Sequence, residues 1–186
     1  MKIILSPDRG LRQQCEPITP EELPQMAKLA KKMAKVMYKY DGCGLAAPQV
    51  GVLKQMIVID TGVPKEDGER EENPIFILNP RVSKLGDETE CGGEGCLSIP
   101  GITVEIERAT YIELEALDLD GSEIEITAEG FDARAIQHEL DHLAGITMFE
   151  HLDVIERSEK LIEYEQAKAA GAKPGETSIE QQRKRT

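Results

Sequence analysis

The hydrophobic positions along the chain follow the patterns of helices in some regions and of strands in others. Apolar residues recur every three to four positions between residues 20 and 40, which predicts a helix with one buried stripe. Two continuous apolar runs predict strands buried on both faces, and three later segments alternate polar and apolar residues, as half-exposed strands do. The last two segments predict a hairpin. The five predicted strands span 56–59, 75–78, 103–107, 111–118 and 122–128.

The C-terminal part of the chain predicts two more helices and a tail. Apolar residues around His138 follow helical spacing up to Gly145, a residue type that commonly ends helices. Residues 154–170 carry many charges and a thin apolar stripe, which predicts a C-terminal helix. Proline, glycine, serine, threonine and charges dominate residues 171–186, so we expect a disordered tail there. The globular domain is then expected to span residues 1–153.

Length and charge exclude several classes of protein. The 186 residues suffice for one domain with a substantial core. No apolar run approaches the roughly 20 residues of a membrane span, and the first apolar residues are too few for a secretion signal. We therefore expect a cytoplasmic protein without membrane contact. The net charge of -13 repels nucleic-acid phosphates and argues against tight general binding, although the basic residues 183–185 leave a weak contact with RNA or the ribosome open.

The strongest chemical signal is the sequence His138-Glu139-Leu140-Asp141-His142. Residues four apart lie on the same face of a helix, so both imidazoles can bind one metal ion. Glu139 lies close enough to that face to reach a water held by the metal without being a ligand itself. This is the layout of a hydrolytic metal site. The alternative, a surface helix with two histidines by chance, is disfavoured because the chain has only 3 histidines.

Two histidines need a third ligand, and a zinc metallopeptidase is one way to supply it. The metzincin pattern would continue to a histidine at position 148, but the residue there is Met148, which excludes that class. A different zinc peptidase would take Glu163 or Glu165 from a downstream helix. Both belong to a helix whose charges are predicted to face solvent, which makes them weaker candidates.

Cysteine thiolates are the other candidates for the third ligand. Four cysteines in a chain without an export signal favour reduced thiols or metal ligation over disulfides. Cys91 and Cys96 together with the two histidines would close a structural zinc site in a non-catalytic protein. That arrangement leaves Glu139 without a role. If Cys96 alone binds, the fourth position stays open for water, as catalysis requires.

Three segments taken together resemble the signature motifs of the peptide deformylase family. They occur in the family's order and with comparable separations, within a resemblance that extends from about Ile3 to about Asp153. It implies an α+β fold, in which antiparallel β-sheets surround a central metal-binding helix with a further helix at each end. The segments are Gly42-Cys43-Gly44-Leu45-Ala46-Ala47-Pro48-Gln49, Glu94-Gly95-Cys96-Leu97-Ser98 and His138-Glu139-Leu140-Asp141-His142.

The resemblance also implies an activity. Residues 1–153 would be a metal-dependent deformylase domain that removes the formyl group from the N-terminal formylmethionine of new polypeptides and releases formate. One divalent ion is implied, with Fe(II) as the native metal and Zn(II) or Ni(II) as replacements in purified protein, because Fe(II) beside a thiolate is prone to oxidation. The implied partners are N-formylmethionyl nascent peptides and, transiently, the ribosome.

The family's functional positions fall on eight residues of this chain. The implied metal ligands are Cys96, His138 and His142, with Glu139 as the acid–base residue. The implied oxyanion donors are the side-chain amide of Gln49 and the backbone N–H of Leu97, and the peptide main chain would pair with backbone at Gly44 and Gly95.

Three further positions carry weaker expectations. Glu94 is expected to orient a ligand histidine, and Asp141 to fix the metal helix, although an ordinary salt bridge explains each carboxylate equally well. Some family members carry an arginine a few residues after the Cys-Leu-Ser motif, where this chain runs Pro100-Gly101-Ile102-Thr103-Val104. Contacts to the later part of the peptide are therefore expected to differ.

Overall fold

The computed structural model of the chain describes residues 1–62 and 71–177. Within these residues seven strands form two antiparallel sheets. Five strands lie in the order β1-β2-β3-β6-β7, and β4 and β5 form a separate long hairpin. The strands are β1 Gly44–Ala46, β2 Met56–Ile59, β3 Ile75–Leu85, β4 Thr89–Cys96, β5 Ile99–Ala109, β6 Tyr111–Leu117 and β7 Glu123–Glu129.

Three α-helices accompany the sheets, together with short 3-10 turns. They are α1 Leu23–Lys39, α2 Gly130–Leu143 and α3 Val154–Ala169. The regular part of α1 begins three residues later than the spacing predicts, because residues 20–22 form a 3-10 turn. The Glu22 carboxylate caps this turn by accepting the Thr19 N–H at 2.9 Å. Among the described residues, none of the helices is both long and apolar enough to cross a membrane.

The five-stranded sheet is covered on both faces, which explains the continuous apolar runs. Along β2, Ile57 and Ile59 pack against α2, whereas Met56 and Val58 pack against α1. The next strand likewise divides its buried side chains between the two sides. Alternate residues point to opposite faces of a strand, so a strand between two helical layers needs apolar residues at every position.

The hairpin β6–β7 forms where alternation predicted it. Asp118 N–H donates to the Ser122 carbonyl oxygen at 2.9 Å, and Gly121 adopts a φ of +85° in the turn between the strands. Ile112, Leu114 and Ala116 are buried in one core cluster with residues of α2, and the alternate positions of β6 are more exposed. The hairpin therefore has its turn at the predicted position, and its strands bury the residues that the alternation predicts.

Helix α2 lies between the five-stranded sheet and the β4–β5 hairpin and contacts both. Its C-terminal end is followed by Gly145, whose φ of +74° reverses the chain as predicted. Helix α3 packs on β5, where Tyr164 is fully buried and donates its hydroxyl hydrogen bond to the Ser6 carbonyl oxygen at 2.9 Å. The predicted α+β fold, with antiparallel sheets around a central helix and a helix at each end, is confirmed.

The segment predicted as a disordered tail divides into two parts. Residues 178–186, including the basic residues 183–185, lie outside the described residues. Residues 171–177 are described, and they are hydrogen-bonded to α3 and to β5. This first part of the tail is therefore hydrogen-bonded to the rest of the molecule.

Candidate metal centre

The three ligands implied by the resemblance meet at the centre of the molecule. Helix α2 presents His138 and His142 one turn apart, and β4 ends at Cys96 beside them. One ligand atom from each residue lies within 4.8 Å of the other two, and the Cys96 Sγ is 3.3 Å from the His142 Nε2. The exposed fractions are only 7%, 9% and 1% for Cys96, His138 and His142, so the cluster is shielded from bulk water.

The other candidate ligands lie elsewhere. Cys91 is exposed on β4, and its Sγ lies 4.0 Å from the Glu105 carboxylate. Glu163 and Glu165 lie on α3, each within an i,i+3 pair with a lysine. Among the described residues, Cys96 and the two histidines are the one group of three or more His, Cys, Asp or Glu side chains close enough to share an ion. The geometry therefore favours Cys96 as the third ligand, with the fourth position open, over a closed site with Cys91 and over a peptidase site with a glutamate ligand.

A buried carboxylate orients one of the histidines. The Glu94 Oε2 lies 2.8 Å from the His138 Nδ1, and the Arg108 guanidinium donates to both Glu94 oxygens at 2.9 and 3.0 Å. Burial opposes ionisation of this carboxyl, but the hydrogen bonds from His138 and Arg108 outweigh it and lower the pKa of Glu94 to about 2. Because the His138 Nδ1 is engaged, its Nε2 is the nitrogen available to a metal.

Two arginines complete this network, and sequence reasoning missed both. Arg134 donates to Glu94 at 3.0 Å and to the Ile106 carbonyl oxygen at 2.7 Å, so it joins α2 to the β4–β5 hairpin that carries Cys96. Arg108 also donates to Asp141 at 2.7 Å. Their positions carried a signal, since Arg134 lies one helical turn before His138 and Arg108 takes an inward position of an alternating strand.

Glu139 occupies a tight, buried position next to the ligands. It is 4% exposed, and its Oε2 has no hydrogen-bond partner among the described residues. Burial raises the pKa of Glu139 to about 7. A Cβ at Gly44 would lie 2.5 Å from the Glu139 Oε1, so only glycine at position 44 allows the carboxylate to lie here. A carboxyl in this environment can both accept and release a proton near neutral pH.

The two implied oxyanion donors both lie next to Cys96. The Gln49 Oε1 accepts the Ala46 N–H at 2.8 Å, which fixes the orientation of the amide. The Gln49 Nε2 then points at the Ser98 Oγ, at 3.2 Å, and at the Cys96 Sγ, at 3.5 Å. Leu97 follows Cys96 in the turn between β4 and β5, and its side chain is buried.

The cluster opens into a narrow cleft of about 200 Å³. This is smaller than the roughly 300–1,000 Å³ of pockets that enclose drug-sized ligands, and it suits the end of an extended chain. Gly44 and Gly95, the two residues expected to pair with a peptide, both line the cleft, one on β1 and one on β4. His138 and Glu139 line its inner end.

The residues fit a single divalent ion. A sulfur about 2.3 Å and a nitrogen about 2.1 Å from one tetrahedral ion stand about 3.6 Å apart, near the 3.3 Å between the Cys96 Sγ and the His142 Nε2. Burial disfavours a charged His138, yet its hydrogen bonds with Cys96 and Glu94 raise the pKa of this ring well above its ordinary value. The surroundings thus favour positive charge between Cys96 and Glu94. Burial lowers the pKa of His142, which keeps that imidazole neutral for ligation.

Comparison with known proteins decides the family. A sequence model of polypeptide deformylase matches residues 1–158, most of the chain. The chain belongs to the peptide deformylase family. A peptide deformylase of Hydrogenovibrio crunogenus is 38% identical over 92% of this chain and 97% of its own length. One from Carboxydothermus hydrogenoformans is 43% identical over 84% of this chain and 95% of its own length.

Solved peptide deformylase structures share the fold. The crystal structure from Ehrlichia chaffeensis has a TM-score of 0.83 at 31% identity and covers 91% of this chain and 97% of its own. The complex with actinonin from Synechococcus elongatus has a TM-score of 0.78 at 35% identity and covers 87% of this chain and 85% of its own. The resemblance inferred from the three motifs is confirmed. The chain is a hydrolase of the deformylase class, with a metal-binding site at its centre.

Proposed function

We propose that this centre hydrolyses the formyl amide of N-formylmethionyl peptides, with Cys96, His138 and His142 holding one divalent ion and Glu139 transferring the proton. One observation carries the proposal: a thiolate and two imidazoles converge beside a buried carboxylate oxygen that has no partner among the described residues. A structural metal site would have no use for such a carboxylate. A deformylase needs it as the acid–base group.

The chemistry needs activation of water and of the formyl carbonyl. When bound, a divalent ion supplies both, because it lowers the pKa of water and polarises an oxygen. Glu139 accepts the proton of the attacking water as the oxygen adds to the formyl carbon. The Gln49 Nε2 and the Leu97 N–H donate to the oxyanion that forms. Glu139 then passes the proton to the departing amine as the C–N bond breaks, which leaves formate and a free N-terminal methionine.

The cleft geometry supports an extended peptide as the substrate. The formyl carbon must reach the ligand cluster at the inner end, so the residues after methionine point toward the mouth. Gly44 and Gly95 offer backbone from two different strands along the cleft, where a peptide can add as a strand. A solved relative from Acinetobacter baumannii, 32% identical with a TM-score of 0.75, has Met-Ala-Ser bound. A peptide of the same kind is proposed for this cleft.

The proposed native metal is Fe(II), with Zn(II) or Ni(II) as substitutes. One thiolate and two imidazoles suit each of these ions, so the ligand set alone does not select among them. Metal analysis of protein purified without oxygen, compared with protein purified in air, tests the assignment. We expect iron and high activity in the first sample and a loss of both in the second. Full activity of an iron-free, zinc-containing sample would contradict it.

The proposed partners follow from the substrate. N-formylmethionine is the first residue of newly made chains, so the enzyme is proposed to act on nascent peptides in the cytoplasm, with a transient contact to the ribosome. Co-sedimentation with translating and with empty ribosomes tests this contact. Stronger binding to ribosomes that carry formylated chains supports it, and equal absence from both pellets contradicts it.

A formate-release assay tests the activity itself. The iron-loaded protein is assayed with formyl-Met-Ala-Ser beside Glu139→Ala, which should keep the metal and the fold and lose about 10²- to 10⁴-fold in kcat. Metal content and circular dichroism verify that the variant is otherwise intact. If the wild-type protein releases no more formate than the variant, the enzyme assignment fails. Cleavage of internal peptide bonds without formate release would indicate a metallopeptidase instead.

A further inference from the structure

Residues 171–177, which we call the C-terminal strap, turn back from α3 toward the cleft. Gly171 has a φ of +84°, and the Ala172 N–H donates to the Ala167 carbonyl oxygen at 3.0 Å, which reverses the chain after the helix. A second turn follows, in which the Glu176 N–H donates to the Lys173 carbonyl oxygen at 3.1 Å and the Glu176 carboxylate accepts the Lys173 N–H at 3.0 Å. The strap thus has its own hydrogen-bonded structure.

The strap docks on the β4–β5 hairpin at Gly101. The Gly101 N–H donates to the Glu176 carbonyl oxygen at 2.7 Å. Gly101 has a φ of +87°, and a Cβ there would lie 2.6 Å from the Ala167 Cβ and 3.0 Å from the Ala172 Cβ. Only glycine fits both the backbone angle and the space. This is the stretch after the Cys-Leu-Ser motif in which some relatives carry an arginine.

The strap also reaches the opposite wall of the cleft. Gly175 has a φ of +90°, and a Cβ on this residue would overlap the carbonyl oxygen of Tyr40, which follows α1. Tyr40 is followed by Asp41 and Gly42, which line the cleft just before β1. The strap therefore spans from the hairpin to the end of α1, across the outer part of the cleft.

The last described residues of the strap lie where the peptide is expected. Gly175, Glu176 and Thr177 line the same cleft as His138 and Glu139. The Thr177 Cγ2 packs against Gly95, at 2.6 Å from where a Cβ would stand. Gly95 nevertheless keeps an exposed surface, so the strap flanks this residue without covering it. The strap therefore narrows the cleft beside the backbone that pairs with the substrate.

We propose that the C-terminal strap is a third wall of the peptide cleft, and that Glu176 and Thr177 contact the residues that follow the formylmethionine and set the preference for them. The inference rests on the proposed function. The formyl group must lie at the inner end, so the second and third residues of the peptide lie at the mouth, beside the strap. Methionine itself lies deeper, out of reach of these side chains.

The charge of the wall specifies the preference. The residues that line the cleft include four acidic ones, Asp41, Glu94, Glu139 and Glu176, against one arginine, Arg134, that is already paired with Glu94. An acidic side chain after the methionine would approach Glu176 and Asp41 and be repelled, whereas a neutral or basic one would not. The strap thus selects against acidic residues directly after the formylmethionine.

Two truncations test the wall. A chain ending at Thr177 keeps the strap, and a chain ending at Ala170 removes it, so the difference between them reports residues 171–177 alone. We expect the shorter chain to show a KM for formyl-Met-Ala-Ser at least about fivefold higher at similar kcat, a loss typical of a few side-chain contacts. Formylmethionine amide, which does not reach the strap, should be hydrolysed equally by both. Binding of Met-Ala-Ser to the zinc-loaded proteins, measured by calorimetry, should weaken in parallel.

The outcomes separate this inference from the proposed function. If neither chain releases formate from either substrate, the proposed function fails and the strap is not at issue. If both chains hydrolyse formyl-Met-Ala-Ser with equal KM, the strap is no part of the cleft. A lower KM without the strap would show that it obstructs the peptide, which also overturns the inference. Equal loss on both substrates would indicate damage to the fold, and the point variant below then decides.

Glu176→Gln isolates the charge. The amide keeps an oxygen to accept the Lys173 N–H and removes the negative charge from the mouth. We expect kcat/KM for formyl-Met-Asp-Ser to rise about threefold relative to formyl-Met-Ala-Ser, in line with a screened charge pair near the surface. Glu165→Gln, which removes an equal charge from the exposed face of α3, is the matched control and should leave the ratio of the two kcat/KM values unchanged. An unchanged ratio in Glu176→Gln would remove the proposed preference.

Discussion

At its inner end the cleft is held by buried charges, whereas at its outer end it is held by backbone packed closely at glycines. Glu94, Arg108 and Arg134 tie α2 to the β4–β5 hairpin through charged hydrogen bonds of 2.9 to 3.0 Å. Gly101 and Gly175 tie the strap to the hairpin and to α1 through contacts that any side chain would break. The inner end fixes the geometry of the reaction, and the outer end fixes the width available to the peptide.

The difference follows from what each end must do. Ligand atoms must stay within a few tenths of an ångström, and buried charge-assisted hydrogen bonds are short and directional enough to hold them. A wall beside the peptide requires only steric fit, and glycine allows backbone segments to pack closely enough to form it. Substitutions at the inner end should therefore change kcat and metal affinity, and substitutions at the outer end should change KM.

The largest expected effect comes from a ligand. Cys96→Ser replaces the thiolate by a weakly bound hydroxyl, so we expect metal loss on dialysis and a fall in formate release of more than about a hundredfold. Cys91→Ser, the same change on the exposed part of β4, should keep full metal content and activity. Metal analysis and formate release on both proteins provide the measurement. Equal losses in the two variants would revive a site with two cysteines.

The next effect concerns the oxyanion. Gln49→Glu keeps an oxygen to accept the Ala46 N–H and replaces the donor that faces Cys96 by an acceptor. We expect kcat to fall by about 10²- to 10³-fold, the usual cost of one lost oxyanion donor, with metal content unchanged. Gln25→Leu on the exposed face of α1 serves as a control and should have wild-type kcat. A rise in KM at constant kcat would instead assign Gln49 to substrate binding.

The charge network predicts a smaller loss. Glu94→Gln leaves His138 without its anionic partner, so metal affinity should fall about 10- to 100-fold. Arg134 also loses its carboxylate partner and Arg108 keeps only Asp141, which should cost about 3–5 kcal/mol of unfolding free energy. Glu115→Gln, which breaks an exposed pair with Arg81, should cost less than about 1 kcal/mol. Metal competition with a chelator and urea unfolding measure both quantities, and similar costs for the two variants would show that burial adds nothing.

The inner end was far more predictable from the sequence than the outer end. His138 and His142 lie within one helical turn, so a shared metal ion is readable locally, and Cys96 is a candidate ligand by residue type. The role of Gln49 was implied only by the resemblance of its motif to the family. Arg108 and Arg134 act on Glu94 from two other elements, and such a contact exists only once the hairpin lies on α2. The strap was hardest, because its composition is that of a disordered tail. The strap is held by close packing at Gly101 and Gly175, and such contacts produce no periodic pattern of hydrophobic residues in the sequence.

The smallest effect tests the outer end with a matched pair of glycines. Gly175→Ala and Gly171→Ala both place a side chain at positive φ, +90° and +84°, which costs about 1–2 kcal/mol each. Only at position 175 would the new Cβ also overlap the Tyr40 carbonyl oxygen, whereas position 171 faces open space. We therefore expect Gly175→Ala to raise KM for formyl-Met-Ala-Ser about threefold more than Gly171→Ala does, with kcat unchanged in both.

Proteolysis reports the same contact without any turnover. Glu176 lies in the strap and is followed by Thr177, so endoproteinase Glu-C should cut there sooner in Gly175→Ala than in Gly171→Ala or the wild-type chain, because cleavage needs the strap to leave the hairpin. If the two variants are cut at equal rates and share one KM, backbone strain alone explains both. The packing of Gly175 on Tyr40 would then contribute nothing to holding the wall. A difference confined to position 175 would instead show that the outer end depends on a single glycine contact, as the inner end depends on Glu94.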